Sequence, residues 1–120
     1  MVTVLIIDDD EKVRGTLRDI LEDLGCSVSE AQDGLAATSM ISESSPELVF
    51  TDIFMPNQDG IETIRKIRRI NASIRIVAMS GGSGFNGMDF LGMAQSLGAD
   101  YILQKPIRIE QIEDIVNSFA

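Results

Sequence analysis

The sequence predicts a doubly wound α/β fold, with a five-stranded parallel sheet between two layers of helices. Three observations predict it. Five short apolar runs alternate with five segments of helical periodicity along the whole chain. Strict alternation of this kind calls for right-handed crossovers and a parallel sheet. The runs are nearly continuous and rich in β-branched residues, as strands covered on both faces are. The 120 residues suit one domain, taken as residues 1–120.

Val2 to Ile7 forms the first run. Val13, Leu17, Ile20, Leu21 and Leu24 then recur at helical spacing, and Gly25 supplies a C-terminal stop. Asp10 is placed to cap this helix. Cys26 to Glu30 alternates as a short strand with Val28 inward. Asp33 caps a second helix whose apolar residues are Leu35, Ala36, Met40 and Ile41, ending before Ser45-Pro46. Leu48 to Thr51 is the third strand, closed by Asp52. Residues Met55 to Gly60 form a loop. Ile61, Ile64, Ile67 and Ile70 mark a third helix with a basic outer face of Arg65, Lys66, Arg68 and Arg69. Ile74 to Met79 is the fourth strand. After a glycine-rich stretch, Met88, Leu91, Ala94 and Leu97 make a fourth helix, stopped by Gly98. Tyr101 to Leu103 is the fifth strand, and Ile109, Ile112, Val116 and Phe119 belong to a fifth helix.

Composition excludes several functions. A single cysteine, Cys26, permits neither an internal disulfide nor a CxxC motif, and reads as a small buried hydrophobe. The first apolar run is too short for a signal segment or a membrane span, so a cytoplasmic location and no membrane partner are expected. Ten basic against nineteen acidic residues give a net charge of −9, which repels nucleic acid and anionic lipid.

In doubly wound sheets, ligands bind beyond the carboxyl ends of the strands. Four strand ends carry chemistry here: Asp8-Asp9-Asp10 after the first, Asp52 after the third, Ser80 after the fourth and Lys105-Pro106 after the fifth. One such aspartate alone reads as a helix cap. Together, Asp8, Asp9 and Asp52 would repel one another in a common pocket. A hard divalent cation such as Mg2+ relieves that repulsion through oxygen ligands, and Lys105 adds a compact positive charge. An incoming phosphoryl group would be held by cation, Lys105 and the Ser80 hydroxyl, with the Asp52 carboxylate as nucleophile.

The ordered set resembles the receiver domain of two-component response regulators over essentially the whole chain. It runs Val4-Leu5-Ile6-Ile7-Asp8-Asp9-Asp10, Leu48 to Pro56 with Asp59-Gly60, Ile76 to Ser80, and Gly98-Ala99-Asp100 onward to Lys105-Pro106. The resemblance implies a flavodoxin-like strand order of 2-1-3-4-5 with five helices. It implies phosphorylation of Asp52 by a histidine kinase or histidine phosphotransfer protein. Asp9 matches a direct Mg2+ ligand, Asp8 one acting through water, and Asp52 and the Phe54 carbonyl complete the metal set. Ser80 matches the switch hydroxyl and Lys105 the lysine of the site, with a cis peptide before Pro106.

Two departures stand out. Ile102 occupies the place of an aromatic switch residue, and Tyr101, one position earlier, faces the opposite side of the strand. The stretch between Ser80 and Lys105 is longer than the family pattern. Its surplus lies in Gly81 to Gly87, expected to be a hinge that orders on phosphorylation.

The chain ends after the fifth helix, so action by docking is expected, either as a diffusible messenger or as a phosphorelay intermediate or sink; a fragment that has lost an output domain is the third possibility. With no histidine in the chain, donor and later acceptor lie on other proteins. The resemblance puts the kinase-facing surface at Arg14, Leu17, Arg18, Met55-Pro56 and Pro106-Ile107. It puts an output face, which can also support a phosphorylation-dependent homodimer, near Tyr101, Glu110, Glu113 and Asp114. The downstream target is not legible. No enzymatic activity beyond self-phosphorylation and self-dephosphorylation is expected. Rival readings fit less well. A flavin-binding flavodoxin would need its phosphate loop where three aspartates stand. A haloacid-dehalogenase-type phosphatase would need an acid at Phe54. No P-loop motif occurs. A pseudo-receiver, folded but never phosphorylated, is the remaining alternative.

Overall fold

The computed structural model describes residues 1–53, 60–81, 95–96 and 98–119. Five strands and four helices occur among them: β1 (Thr3–Ile7), α1 (Glu11–Asp23), β2 (Ser27–Ala31), α2 (Gly34–Ser44), β3 (Leu48–Asp52), α3 (Gly60–Ile70), β4 (Arg75–Ser80), β5 (Tyr101–Gln104) and α4 (Ile109–Asn117). The expected helix between β4 and β5 falls mostly outside the described residues. Gln95 and Ser96 are helical, and Gly98 takes the positive φ of 115° expected of a helix stop.

All strand pairs are parallel, in the order β2-β1-β3-β4-β5. The order reverses between β1 and β3, which puts the ligand-binding crevice at their carboxyl ends. Register aligns those ends. Ile7 pairs with both Ala31 and Thr51, Asp52 with Met79, and Ser80 with Gln104. Asp8 and Asp52 therefore each follow one of two paired residues on neighbouring strands.

Strand side chains alternate between two cores, which is why the apolar runs are continuous. Leu5, Ile7, Val49, Ile76 and Ala78 pack with Ile41, Ile64 and Ile67 on the α2–α3 face. Val4, Ile6, Phe50, Val77 and Met79 pack with Leu17, Leu21, Ile112 and Ile115 on the α1–α4 face. Phe50 is fully buried in β3, and truncation to alanine would cost about 3–5 kcal/mol.

Side-chain caps define the helix starts. The Asp10 carboxylate accepts from the Lys12 amide, and that of Asp33 from the Ala36 amide. Gly25, with φ 88°, ends the α1 turn. Two helix faces differ from expectation. In α2, Ala37 and Ile41 are buried while Leu35 is 57% exposed. The helix itself carries small residues, with Gly34 and Ala37 on its buried side, so a bulky residue does not mark its inner face. In α4, Ile112, Ile115 and Val116 are buried while Ile109, at the first turn, lies open to solvent.

Candidate functional site

The crevice beyond β1 and β3 holds the predicted acids. Asp8 is fully buried. Its amide donates to the Ala31 carbonyl at 3.1 Å, extending the β1–β2 ladder by one residue. One carboxylate oxygen accepts from the Asp10 amide at 2.9 Å. The other accepts from Lys105 Nζ at 2.8 Å. Asp52, also buried, accepts from the same ammonium at 3.3 Å. Asp9 is exposed at the crevice mouth. Carboxylate oxygens of Asp8, Asp9 and Asp52 all lie within 4.8 Å of one another.

Three carboxylates and one ammonium leave the cluster two charges negative. Hard oxygen donors this close, with a residual charge of that sign, fit a small divalent cation such as Mg2+. The remaining expected ligand, the carbonyl of Phe54, lies outside the described residues, as do Met55 and Pro56.

Lys105 feels opposing influences. Burial disfavours its charge, but the Asp8 hydrogen bond and the charges of Asp52 and Asp8 outweigh this and hold its pKa above the ordinary 10.5. Its amide donates to the Ser80 carbonyl at 2.7 Å, so β4 and β5 stay paired up to the site. The Lys105–Pro106 peptide is cis, as expected. Ser80 is the last residue of β4 and fully buried. Asp8, Asp9, Asp52, Ser80 and Lys105 are thus all delivered to the carboxyl edge of the sheet.

The expected switch position behaves as its strand parity dictates. Ile102 is half-buried against the α2–α3 core. Tyr101 packs on the α1–α4 side, with its hydroxyl 3.3 Å from that of Ser118. The glycine-rich stretch beyond Gly81 lies outside the described residues.

The expected kinase-facing side chains take different places. Leu17 is buried in the core. Arg14 and Arg18 are drawn onto Glu30 of β2, at 3.0 Å and 2.5 Å, because β2 runs beside α1 and supplies an acid between them. A groove of about 500 Å3 does open beside the site, lined by Val13, Thr16, Ile20, Gly81, Pro106 and Ile107 among others.

Three contributors were not legible in advance. Arg14 also donates to the Asp8 carbonyl at 2.7 Å. Gly60 begins α3 so close to β3 that a β-carbon would fall against the Asp52 carbonyl oxygen and the Ile53 Cα. Arg68, expected on a solvated face, instead clasps the far end of the sheet. It donates to the carbonyls of Gly98, Ala72 and Ile74 and to the Asp100 carboxylate. Only Gly60 left a trace in sequence, in the Asp59-Gly60 pair at the end of the expected loop, although the structure makes it the first residue of α3. The two arginines become visible once strand order is known.

Comparison with known proteins agrees with this geometry. Residues 4–117 match the family model described as the response regulator receiver domain. The chain is 33% identical over 114 residues to chemotaxis protein CheY of Halobacterium salinarum, covering 95% of this chain and 92% of that protein. It is 29% identical over 116 residues to sporulation initiation phosphotransferase F of Bacillus subtilis, covering 97% and 91%. Other curated relatives are longer: the chain spans 47% of response regulator MprA from Mycobacterium sp. (strain KMS) at 34% identity. Among solved structures, a two-component response regulator from Clostridium difficile superposes with a TM-score of 0.89 at 27% identity, covering 98% of this chain and 94% of that one.

Proposed function

This chain belongs to the response regulator receiver domain family, and from that premise we propose that it is phosphorylated on Asp52. The group comes from a phosphohistidine on a histidine kinase or phosphotransfer protein. The observation that carries the reading is the ammonium of Lys105 set between Asp8 and Asp52, beside three clustered carboxylates.

An Asp52 carboxylate oxygen attacks phosphorus as the phosphorus–nitrogen bond of the donor breaks, and the imidazole keeps that electron pair. Asp52 is buried at a strand end with its main chain paired to β4, so the nucleophile is held rather than searching. Lys105 offers donors to a phosphoryl oxygen, and Ser80 offers a hydroxyl from the neighbouring strand. A divalent cation held by Asp8, Asp9, Asp52 and the Phe54 carbonyl would neutralise charge on the transferring group. These transfers on its own Asp52 are the only chemistry assigned to the protein.

The groove beside Lys105 suits docking of the phosphodonor, since it reaches the site from α1 and the β5–α4 connection. Output then passes through a partner, or through a second copy, at the face bearing Tyr101, Glu113 and Asp114. The near-full-length likeness to a chemotaxis protein and to a phosphotransferase supports both a messenger and a relay role.

Incubation with acetyl phosphate and Mg2+, read by intact mass, tests this reading. One added phosphoryl group is expected, lost in Asp52→Asn and on chelation of the metal. Absence of any addition to the wild-type protein would favour a pseudo-receiver that acts by binding alone.

A further inference from the structure

We propose that Arg14, held in place by Glu30, is a positioning residue for the metal site, fixing the peptide between Asp8 and Asp9. The inference rests on the reading of the acidic cluster as a divalent-cation site.

The Arg14 guanidinium makes two separate contacts. Its Nε donates to Glu30 Oε1 at 3.0 Å, and a terminal nitrogen donates to the Asp8 carbonyl at 2.7 Å. A guanidinium is a rigid planar fork, so two contacts fix its plane. Glu30 is itself immobilised. Arg18, one helical turn on from Arg14, donates to its other oxygen and to the Val28 carbonyl at 2.8 Å. The chain of contacts thus runs from edge strand β2, through two arginines of α1, to the main chain after β1.

The acceptor is what gives this chain its consequence. The Asp8 carbonyl and the Asp9 nitrogen belong to one planar peptide unit. Holding that oxygen sets the direction in which Asp9 leaves the strand. Asp8 is already fixed through its amide to Ala31 and its carboxylate to Asp10 and Lys105. Asp9 makes no side-chain hydrogen bond among the described residues, so its carboxylate depends on the main chain for its aim. The Arg14–Glu30 pair is only partly open to solvent, and such a pair near the surface contributes little by itself; the added bond to a carbonyl beside two acids makes Arg14 more than a surface partner.

Charge and positioning make opposite forecasts for removal of Arg14. Loss of a cation near three carboxylates should tighten Mg2+ binding if charge alone matters. Loss of positioning should weaken it, by about tenfold as for other groups that orient metal ligands. The experiment is a Mg2+ titration of the intact chain, followed by amide NMR shifts, for wild type, Arg14→Gln and Arg14→Lys. Arg14→Gln is expected to bind about tenfold more weakly, with shifts in β4 and α3 unchanged. Arg14→Lys keeps the charge but cannot span Glu30 and Asp8, and is expected to remain weaker than wild type. Affinity equal to or tighter than wild type in either correctly folded variant overturns the proposal. Wild-type protein that takes up no Mg2+ would instead remove the cation-site reading beneath it.

Discussion

Lys105 Nζ lies 2.8 Å from a carboxylate oxygen of Asp8, although the two residues are 97 positions apart in the chain. That contact joins the end of β5 to the end of β1 across β3 and β4, and Asp52 lies beneath the same ammonium. The site is therefore a product of the strand order, and it forms only when the whole sheet does.

Removing the ammonium should have two effects of opposite kind. Lys105→Met leaves the buried Asp8 carboxylate short of a donor and should lower the unfolding free energy by about 1–3 kcal/mol. It also makes the cluster one charge more negative, so Mg2+ should bind roughly several-fold tighter. Calorimetric unfolding with and without Mg2+ reads both: the stability loss should shrink as metal is added.

The same lysine sets an alkaline limit. Its folded-state pKa is raised above 10.5, so its stabilising contribution is complete below that value. The contribution is lost as pH rises through the higher folded-state pKa. Stability attributable to Lys105 should thus stay flat from neutrality to near pH 10.5 and decline above it. Denaturant unfolding of wild type against Lys105→Met across the alkaline range checks this, and the two curves should converge at the top.

Gly60 should not tolerate a side chain. In Gly60→Ala the new methyl meets the main chain of Asp52 and Ile53 rather than a flexible neighbour. A cost of about 1–3 kcal/mol is expected, since backbone must move. Because the displaced residue is the nucleophile itself, phosphorylation by acetyl phosphate should slow more than stability alone explains. Thermal unfolding and initial rates, measured on the same preparation, separate the two effects.

Arg68 supplies the contrast. It ties the end of α3 to the starts of β4 and β5, at the edge of the sheet opposite the acids. Arg68→Lys cannot reproduce a fork that serves several acceptors and should destabilise by about 1–3 kcal/mol. Mg2+ affinity should be unchanged, because among the described residues no contact of Arg68 reaches the carboxyl ends of the strands. A titration alongside that of Arg14→Gln makes the comparison.

What the sequence disclosed, and what it withheld, follow from the range of each signal. Strand runs such as Leu48 to Thr51 announce themselves because both faces are buried, so no charged residue interrupts them. Asp8, Asp52, Ser80 and Lys105 were legible because a doubly wound fold puts function directly after its strands. Caps by Asp10 and Asp33 are local and were equally plain. Leu35 misled because α2 is apolar on several sides, and periodicity cannot choose a face there. Arg68 misled for a different reason, and the pairing of Arg14 and Arg18 was hidden for the same one. A charged residue at an outward helical position reads as solvated until a partner from elsewhere, Glu30 or Asp100, is known to stand beside it.

The most direct test of the central claim traps the phosphoryl group where it sits. Protein phosphorylated with acetyl phosphate and Mg2+ is reduced with borohydride, which converts an acyl phosphate to the corresponding alcohol, and is then mapped by peptide mass. Homoserine is expected at position 52 and at no other aspartate position, including Asp8, Asp9 and Asp10. Homoserine at one of those three positions, or none anywhere in the chain, would contradict the claim.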